Sequence, residues 1–517
     1  MATDSVARAI ALAGLANGGG GGGLSTIVAG TGTSSIVMNH DDTNTNEASG
    51  NYSTALGKNV SASKNGALAT GYSTNPGSYG IMANGVGAFA GGSHEGGTGK
   101  ILASGTGTFA FGRQSQSGYI TAGTSAAMAT GYAWQGGGIS ASGSGARAFG
   151  SAYVSGITAN GEGSLAGGYT SRSSGNLRNI YASGDGSVAM GRAMNGAIQA
   201  LGDGTVAIGY AGAPNKDIFV SADAKGSLAG GYNAAFIGAS GLGAMVWSVA
   251  STDQASSTKS GVAIGQNVTS EQELQFVFGK NNVVDNSTDG TYGLIFGNGT
   301  ADARANAFTL DWTGNATFAG TVTSASGADY AEYFEWKDGN KDSEDRVGYI
   351  VTLDGNKIVK AKAGDDILGI ISGCATVIGD NAEWNWQGRF ERDEFGRIIY
   401  DQVEQFIDTP DPDWEPNPEK PDEEVPMIKK SLGYFPVPRE NAEYDPTKEY
   451  SNRSNRPEWD TVGMMGKLYV RDDGTAAIND YVTVSATTDG VATKAENRTS
   501  MRVMERVNDH IIRVCFK

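Results

Sequence analysis

Cysteine and histidine are almost absent from this chain. Cys374 and Cys515 stand far apart, and His40, His94 and His510 are the only histidines in 517 residues. Two such cysteines make neither a disulfide framework nor a CxxC metal or redox motif. Three scattered histidines leave no Ser/His/Asp constellation and no zinc set, so each reads as a surface or packing residue, and no cofactor or metal is called for. No run approaches the roughly 18 apolar residues of a membrane span, which argues against membrane insertion. Clustered positive charge is also lacking. With 38 Lys and Arg against 55 Asp and Glu, a net of -17, the chain would repel phosphates, and a nucleic-acid binder is excluded.

The first residues lack a basic leader. Met1 to Ala16 is apolar from Val6 onward with Arg8 as its only base, which argues against a secretory signal. Val6, Ile10 and Ala13 fall on one helical face, and Gly18 to Gly23 then form a flexible tether. Residues 1–23 therefore read as a short anchor helix on a tether.

Proline and glycine are distributed very unevenly. Of 78 Gly and 12 Pro, residues from 327 onward hold 15 and 10, so the first 326 hold 63 and 2 (78 minus 15, 12 minus 10). The same division leaves 14 basic and 17 acidic side chains before it, and 24 and 38 after it, net -3 and -14. Two compositions this different do not share one core. The glycine shows no three-residue period with proline, which excludes collagen.

What the glycine-rich part does contain is a repeat. It reads Gly66-Ala-Leu-Ala-Thr-Gly71, Gly87-Ala-Phe-Ala-Gly-Gly92, Gly107-Thr-Phe-Ala-Phe-Gly112, Gly186-Ser-Val-Ala-Met-Gly191 and Gly204-Thr-Val-Ala-Ile-Gly209, among others. The closing glycines at 71, 92, 112, 131, 150, 168, 191, 209 and 231 are about 20 residues apart, one coil of a solenoid each. Apolar and small residues alternate with period 2, as in a strand with one buried face, and the closing Gly is expected to take a left-handed turn that ends the strand. Tyr72, Tyr132, Tyr169, Tyr210 and Tyr232 follow closing glycines, which places them at turns, either packing corners or stacking on sugars. Gly96-Gly-Thr-Gly-Lys100 mimics a phosphate loop, but Ile101 stands where Ser or Thr is required.

These repeats resemble the left-handed β-roll heads of trimeric autotransporter adhesins. The resemblance implies a parallel trimer; the longer step puts an excursion of several residues on most coils. A bacterial adhesin would also need secretion and anchoring signals that this sequence does not show.

Texture changes at Phe308-Thr-Leu-Asp-Trp312, which alternates like a stalk of short strands, and charge and aromatics rise abruptly at Asp329. The segment Ser326-Gly-Ala-Asp-Tyr-Ala-Glu-Tyr-Phe-Glu-Trp336 resembles the start of the intramolecular-chaperone autoprocessing domain of phage neck-appendage and tail-spike proteins, the peptidase G2 type. The similarity continues at Glu344-Asp-Arg-Val-Gly348, Ile367-Leu-Gly-Ile-Ile-Ser372, Val377-Ile-Gly-Asp380, Gly463 to Gly466, Ile478-Asn-Asp-Tyr481 and Arg502-Val-Met-Glu-Arg-Val507. It implies a homotrimeric spike or appendage precursor whose last domain templates assembly and then cuts itself off between Ala328 and Asp329, with Asp329 and Glu332 as a glutamic-type catalytic pair. A virion location, synthesis in the host cytoplasm, attachment to tail or neck proteins through the N-terminus, and a host polysaccharide or receptor as partner follow from the same resemblance.

Local chemistry agrees with that pair but does not require it. A peptide bond beside an Asp can be attacked with help from its carboxylate, and a second carboxylate can carry protons if burial raises its pKa. Asp329 and Glu332 share one face if a helical turn forms, yet Asp-x-x-Glu is also the capping box that merely begins a helix. The span 408–426, with six Pro and eight acidic residues, reads as an exposed loop.

The fold class expected is mainly β: a trimeric β-solenoid of left-handed β-roll-like repeats plus a C-terminal mixed, mostly β chaperone domain. The expected parts are the anchor and tether (1–23), solenoid head and shaft (24–300), β stalk (301–328) and autoproteolytic chaperone (329–517). A spike that also hydrolyses host polysaccharide with paired carboxylates is the alternative; the few unclustered acids before residue 327 count against it.

Overall fold

Alternating small and apolar residues do become strands, and nearly all of the structure is β. The computed structural model describes residues 26–39, 46–74, 80–171, 179–212, 218–233, 236–250, 255–288, 290–324, 327–381, 388–411, 426–449 and 451–517. The anchor and tether of residues 1–23, His40, and positions 412–425 of the Pro-rich acidic span lie outside the described residues. Two compact units are present, Met1–Gly320 with Glu404–Tyr434 and Thr321–Val403 with Phe435–Lys517.

The first unit contains a β-solenoid of about 12 turns. Each coil has a long strand, such as Leu68–Ser73 or Met128–Trp134, and a short one, such as Ile81–Ala83 or Gly138–Ala141. Long strands stack in parallel on long ones and short on short, with the repeat in register: Gly71 opposes Gly92, Gly92 opposes Gly112, Gly112 opposes Gly131 and Gly131 opposes Gly150. The short strands align Ile81, Ile101, Ile120, Ile139, Ile157, Ile180 and Ile198 in one row. All seven are fully buried, facing the equally buried alanines of the long strands, such as Ala69, Ala90, Ala110 and Ala129. Burying each Ile is worth about 1.5–3 kcal/mol, so the short strand supplies most of the core.

The two glycines of each repeat have different tasks. Contrary to expectation, the closing glycine does not end its strand. Gly131 lies in the middle of Met128–Trp134 at φ +140, and a Cβ there would overlap the Gly150 carbonyl oxygen and approach Ile139 Cδ1 to 2.9 Å. The missing side chain lets two backbones and an isoleucine occupy the same small space. The opening glycine makes the turn instead: Gly107 and Gly145 sit at φ +64 and +67 in five-residue connections with open space around them. Ala126 takes that place in one coil, at φ 55.

The tyrosines are correspondingly not at turns. Tyr72, Tyr132, Tyr169, Tyr210 and Tyr232 lie within long strands, in a column shared with Ser93, Arg113, Ser151 and Arg192. Arg192 lies over the rings of Tyr169 and Tyr210, and Tyr210 stacks on Tyr232 at 4.9 Å. The neighbouring inward column is polar where His94 stands. His94 is fully buried, its Nδ1 2.9 Å from Ser73 Oγ and its Nε2 2.9 Å from the Gly99 carbonyl oxygen. Burial holds its pKa below the usual histidine value.

The stalk region is an antiparallel meander of Tyr292–Asn298, Asn306–Asp311 and Ala316–Phe318. The supposed loop 408–426 begins and ends in a two-stranded ladder, Tyr400–Pro410 with Met427–Pro438, and the Asp411 N–H donates to the Pro426 carbonyl.

In the second unit one long strand, Trp459–Arg471, organises a curled sheet. Its first half lies between Asp329–Glu335 and Gly369–Ile371, and its second half pairs with Ile511–Phe516. Trp336, Val351, Ile358, Ile371 and Val462 form one small core, while Leu468, Val470, Met501, Ile512 and Val514 belong to another.

Two stability effects follow. Ala126→Gly relieves a left-handed alanine and is expected to stabilise the solenoid by about 1 kcal/mol, whereas Gly131→Ala destabilises it by more than about 4 kcal/mol; thermal unfolding measures both. His94 contributes stability fully above the unfolded histidine pKa of about 6.5, and that contribution is lost as pH falls toward the lower folded value. His94→Gln, which copies Gln114 of the next coil, should remove that part of the pH slope in unfolding curves.

Candidate functional site

Asp329 opens the strand Asp329–Glu335, whose exposure alternates: Asp329, Ala331 and Tyr333 are buried, and Tyr330, Glu332 and Phe334 are not. This corrects the helical-turn reading. Side chains three apart on a strand point to opposite faces, so Glu332 does not share a face with Asp329, and no helix begins here for a capping box to start.

The Asp329 side is enclosed. Asp329 is 4% exposed, and neither carboxylate oxygen has a hydrogen-bond partner. It borders a cavity of about 280 Å³ lined also by Val347, Ser372, Cys374, Lys467 and Tyr469. Buried polar atoms are normally paired, so a carboxylate left bare against a small cavity is unusual. Gly463 makes the space for it: a Cβ there would lie 2.9 Å from Asp329 Oδ2.

The peptide units on either side of Asp329 are each held by a backbone donor. The Lys467 N–H donates to the Ala328 carbonyl oxygen at 3.2 Å, and the Thr376 N–H donates to the Asp329 carbonyl oxygen at 2.9 Å. Gly466, at φ +125, lies directly against the bond before Asp329. A Cβ on it would overlap the Ala328 oxygen and come within 2.7 Å of Asp329 Cα. The ladder is irregular here, since Tyr330 faces Met465 but Ala331 faces Gly463, leaving Met464 as an extra residue on the long strand. Gly327 is pressed as closely, its Cβ position 2.5 Å from the Cys374 carbonyl oxygen.

On the other face, the Tyr330 hydroxyl donates to Glu332 Oε1 at 2.5 Å, and this bond raises the phenol's pKa. The pair lies over Gly379 of the parallel neighbour Val377–Gly379, where a Cβ would be 2.9 Å from the Tyr330 oxygen.

At the end of the same strand, Trp336 is buried with its indole N–H donating to Asp460 at 2.7 Å. Arg346 stacks over the Trp336 ring at 4.3 Å and forms a two-pronged pair with Asp338. The guanidinium lowers the Asp338 pKa to about 2, and burial raises that of Asp460. This network fixes the strand end away from the Ala328–Asp329 bond.

Sequence motifs drew attention to Asp329, Glu332, Gly463, Gly466 and Gly379, which the structure gathers around one strand, but gave no sign of Lys467 or Thr376. Those two act through backbone N–H groups, which no side-chain pattern reports. Among the described residues, no three His, Cys, Asp or Glu side chains gather as metal ligands.

Comparison with known proteins gives this geometry a context. Residues 275–510 match the family described as Peptidase_G2, IMC autoproteolytic cleavage domain. The chain is 36% identical over 217 residues to a pre-neck appendage protein of Bacillus phage B103, covering 42% of this chain and 21% of that one. It is 33% identical over 178 residues to the pre-neck appendage protein of Bacillus phage phi29, covering 34% and 17%. The chain thus spans about a fifth of the length of these curated relatives. The crystal structure of a C-terminal fragment of bacteriophage phi29 gene product 12 is matched over 37% of this chain and 100% of the fragment, at 31% identity and a TM-score of 0.26. The match begins inside the last solenoid coil, at residue 275, and runs through the whole strand that bears Asp329 and Glu332. Residues 275–510 of this chain belong to the Peptidase_G2, IMC autoproteolytic cleavage domain family.

Proposed function

We propose that the chain is the precursor of a homotrimeric phage tail spike or neck appendage that cleaves itself once, between Ala328 and Asp329. The observation that carries this reading is the bare, buried Asp329 carboxylate, which borders a chamber of about 280 Å³ with room for several water molecules. Asp329 takes a proton from a water molecule in the chamber, and the hydroxide adds to the Ala328 carbonyl carbon. Collapse of the tetrahedral intermediate breaks the C–N bond as the Asp329 carboxyl passes its proton to the Asp329 nitrogen, and the new Ala328 carboxylic acid gives its own proton to the released amine, leaving a carboxylate and an ammonium group.

Glu332 faces away from this chamber on its own chain. For Glu332 to complete a catalytic pair it must act at the corresponding bond of a neighbouring chain, and cutting then waits for assembly. Chain-to-chain packing has a natural surface in the outer face of the long-strand sheet, where Phe111, Phe149, Trp247 and Phe276 are exposed. The host-facing role, towards a surface polysaccharide or receptor, falls to aromatic side chains at the strand ends, where Tyr132, Trp134, Tyr153 and Tyr169 border a hollow of about 400 Å³. Residues 1–23 serve virion attachment, and residues 329–517 act as the removable chaperone. A template that leaves after assembly gives the product kinetic stability.

Expression alone should yield an N-terminal product of 328 residues and a C-terminal piece of 189 (517 minus 328). Mass spectrometry and N-terminal sequencing check this, with Asp-Tyr-Ala-Glu as the expected start; an intact chain in assembled trimers refutes it. Asp329→Asn and Glu332→Gln should each slow cleavage by about 10²–10⁴ without preventing trimer formation. Mixed trimers of the two variants distinguish the arrangement, because donation of Glu332 between chains restores partial cleavage and use within one chain does not.

A further inference from the structure

We infer that the backbone N–H of Lys467 is the oxyanion donor of the self-cleavage, and that Gly466 is the positioning residue that aims it, an inference that rests on the cleavage proposed above. Addition of hydroxide to the Ala328 carbonyl carbon moves the C=O π electrons onto the Ala328 oxygen. That oxygen already accepts from Lys467 N–H at 3.2 Å, the long end of the N–H···O range. The bond has room to tighten as charge develops, which is how such a donor favours the transition state over the ground state. Lys467 and Asp329 border the same cavity, so the proton acceptor and the oxyanion donor adjoin one small chamber.

Gly466 supplies the geometry. Its φ of +125 belongs to a region side-chain-bearing residues rarely adopt, and a Cβ would occupy the place of the Ala328 oxygen. The extra residue at Met464 breaks the regular ladder just before it, and bulges re-aim neighbouring groups in this way. The alternative is an ordinary ladder bond that only holds two strands together. The two differ in what they affect: a ladder bond stabilises the fold, whereas an oxyanion donor also sets the rate.

The test uses the full-length chain with Lys467 replaced by its α-hydroxy acid, so that an ester replaces the 466–467 amide and only the N–H is lost. The control is the same replacement at Trp336, whose N–H donates to the Glu458 carbonyl at 2.7 Å, distant in the sheet from the cut. Both variants should lose a similar few degrees of thermal stability. Cleavage in assembled chains should slow by about 10²–10³ for the 467 ester and proceed at the normal rate for the 336 ester. Gly466→Ala should slow cleavage at least as much as the 467 ester. Normal cleavage in either assembled 466 or 467 variant, or equal slowing by the 336 ester, overturns the assignment. Failure of the unmodified chain to cut before Asp329 instead overturns the reading on which it rests.

Discussion

The absence of a Cβ where one backbone meets another is the constraint on which this molecule depends. In the solenoid it recurs once in most coils, and each closing glycine gives its space to a carbonyl oxygen of the next coil and, at Gly71, Gly131 and Gly191, also to an isoleucine from the opposite strand. Parallel strands of this kind have few other ways of fixing register, since a slip of one residue would turn every side chain to the wrong face. The glycine column admits a single alignment.

The same device appears in the second unit, put to another use. Gly466 lets the long strand approach the bond before Asp329, Gly463 leaves room for the Asp329 carboxylate, and Gly379 does the same for Tyr330 and Glu332 on the reverse face. Three glycines thus shape both sides of one strand. The enclosing strands hold the Ala328 carbonyl and the Asp329 carboxylate in fixed relation, and the network of Trp336, Arg346, Asp338 and Asp460 anchors the far end.

How far the sequence foretells this differs from element to element. The solenoid is readable because its repeat is long and the Ala and Gly positions recur. The short strand is less visible, since Ile-x-Ala is too brief to stand out, although it carries the larger buried side chains. Roles within the repeat were exchanged: the closing glycine looks like a strand end because left-handed glycines usually make turns, yet here tight stacking requires it within the strand. In Asp-x-x-Glu the spacing alone suits a helix, and the alternation Asp-Tyr-Ala-Glu-Tyr-Phe, with buried residues at every second place, decides for a strand. Backbone donors such as Lys467 leave no trace in residue type.

The connections of the solenoid are of two kinds. On the way from short strand to long strand they are five residues in nearly every coil, as at 84–88, 104–108, 123–127 and 142–146. On the return they vary from one residue, at 59, to nine, at 171–179. One margin of the solenoid is therefore nearly constant in length and the other is variable. Along the second margin the connection changes length from coil to coil without disturbing a single pair in the ladder, so chain length there is uncoupled from the register that aligns the strands.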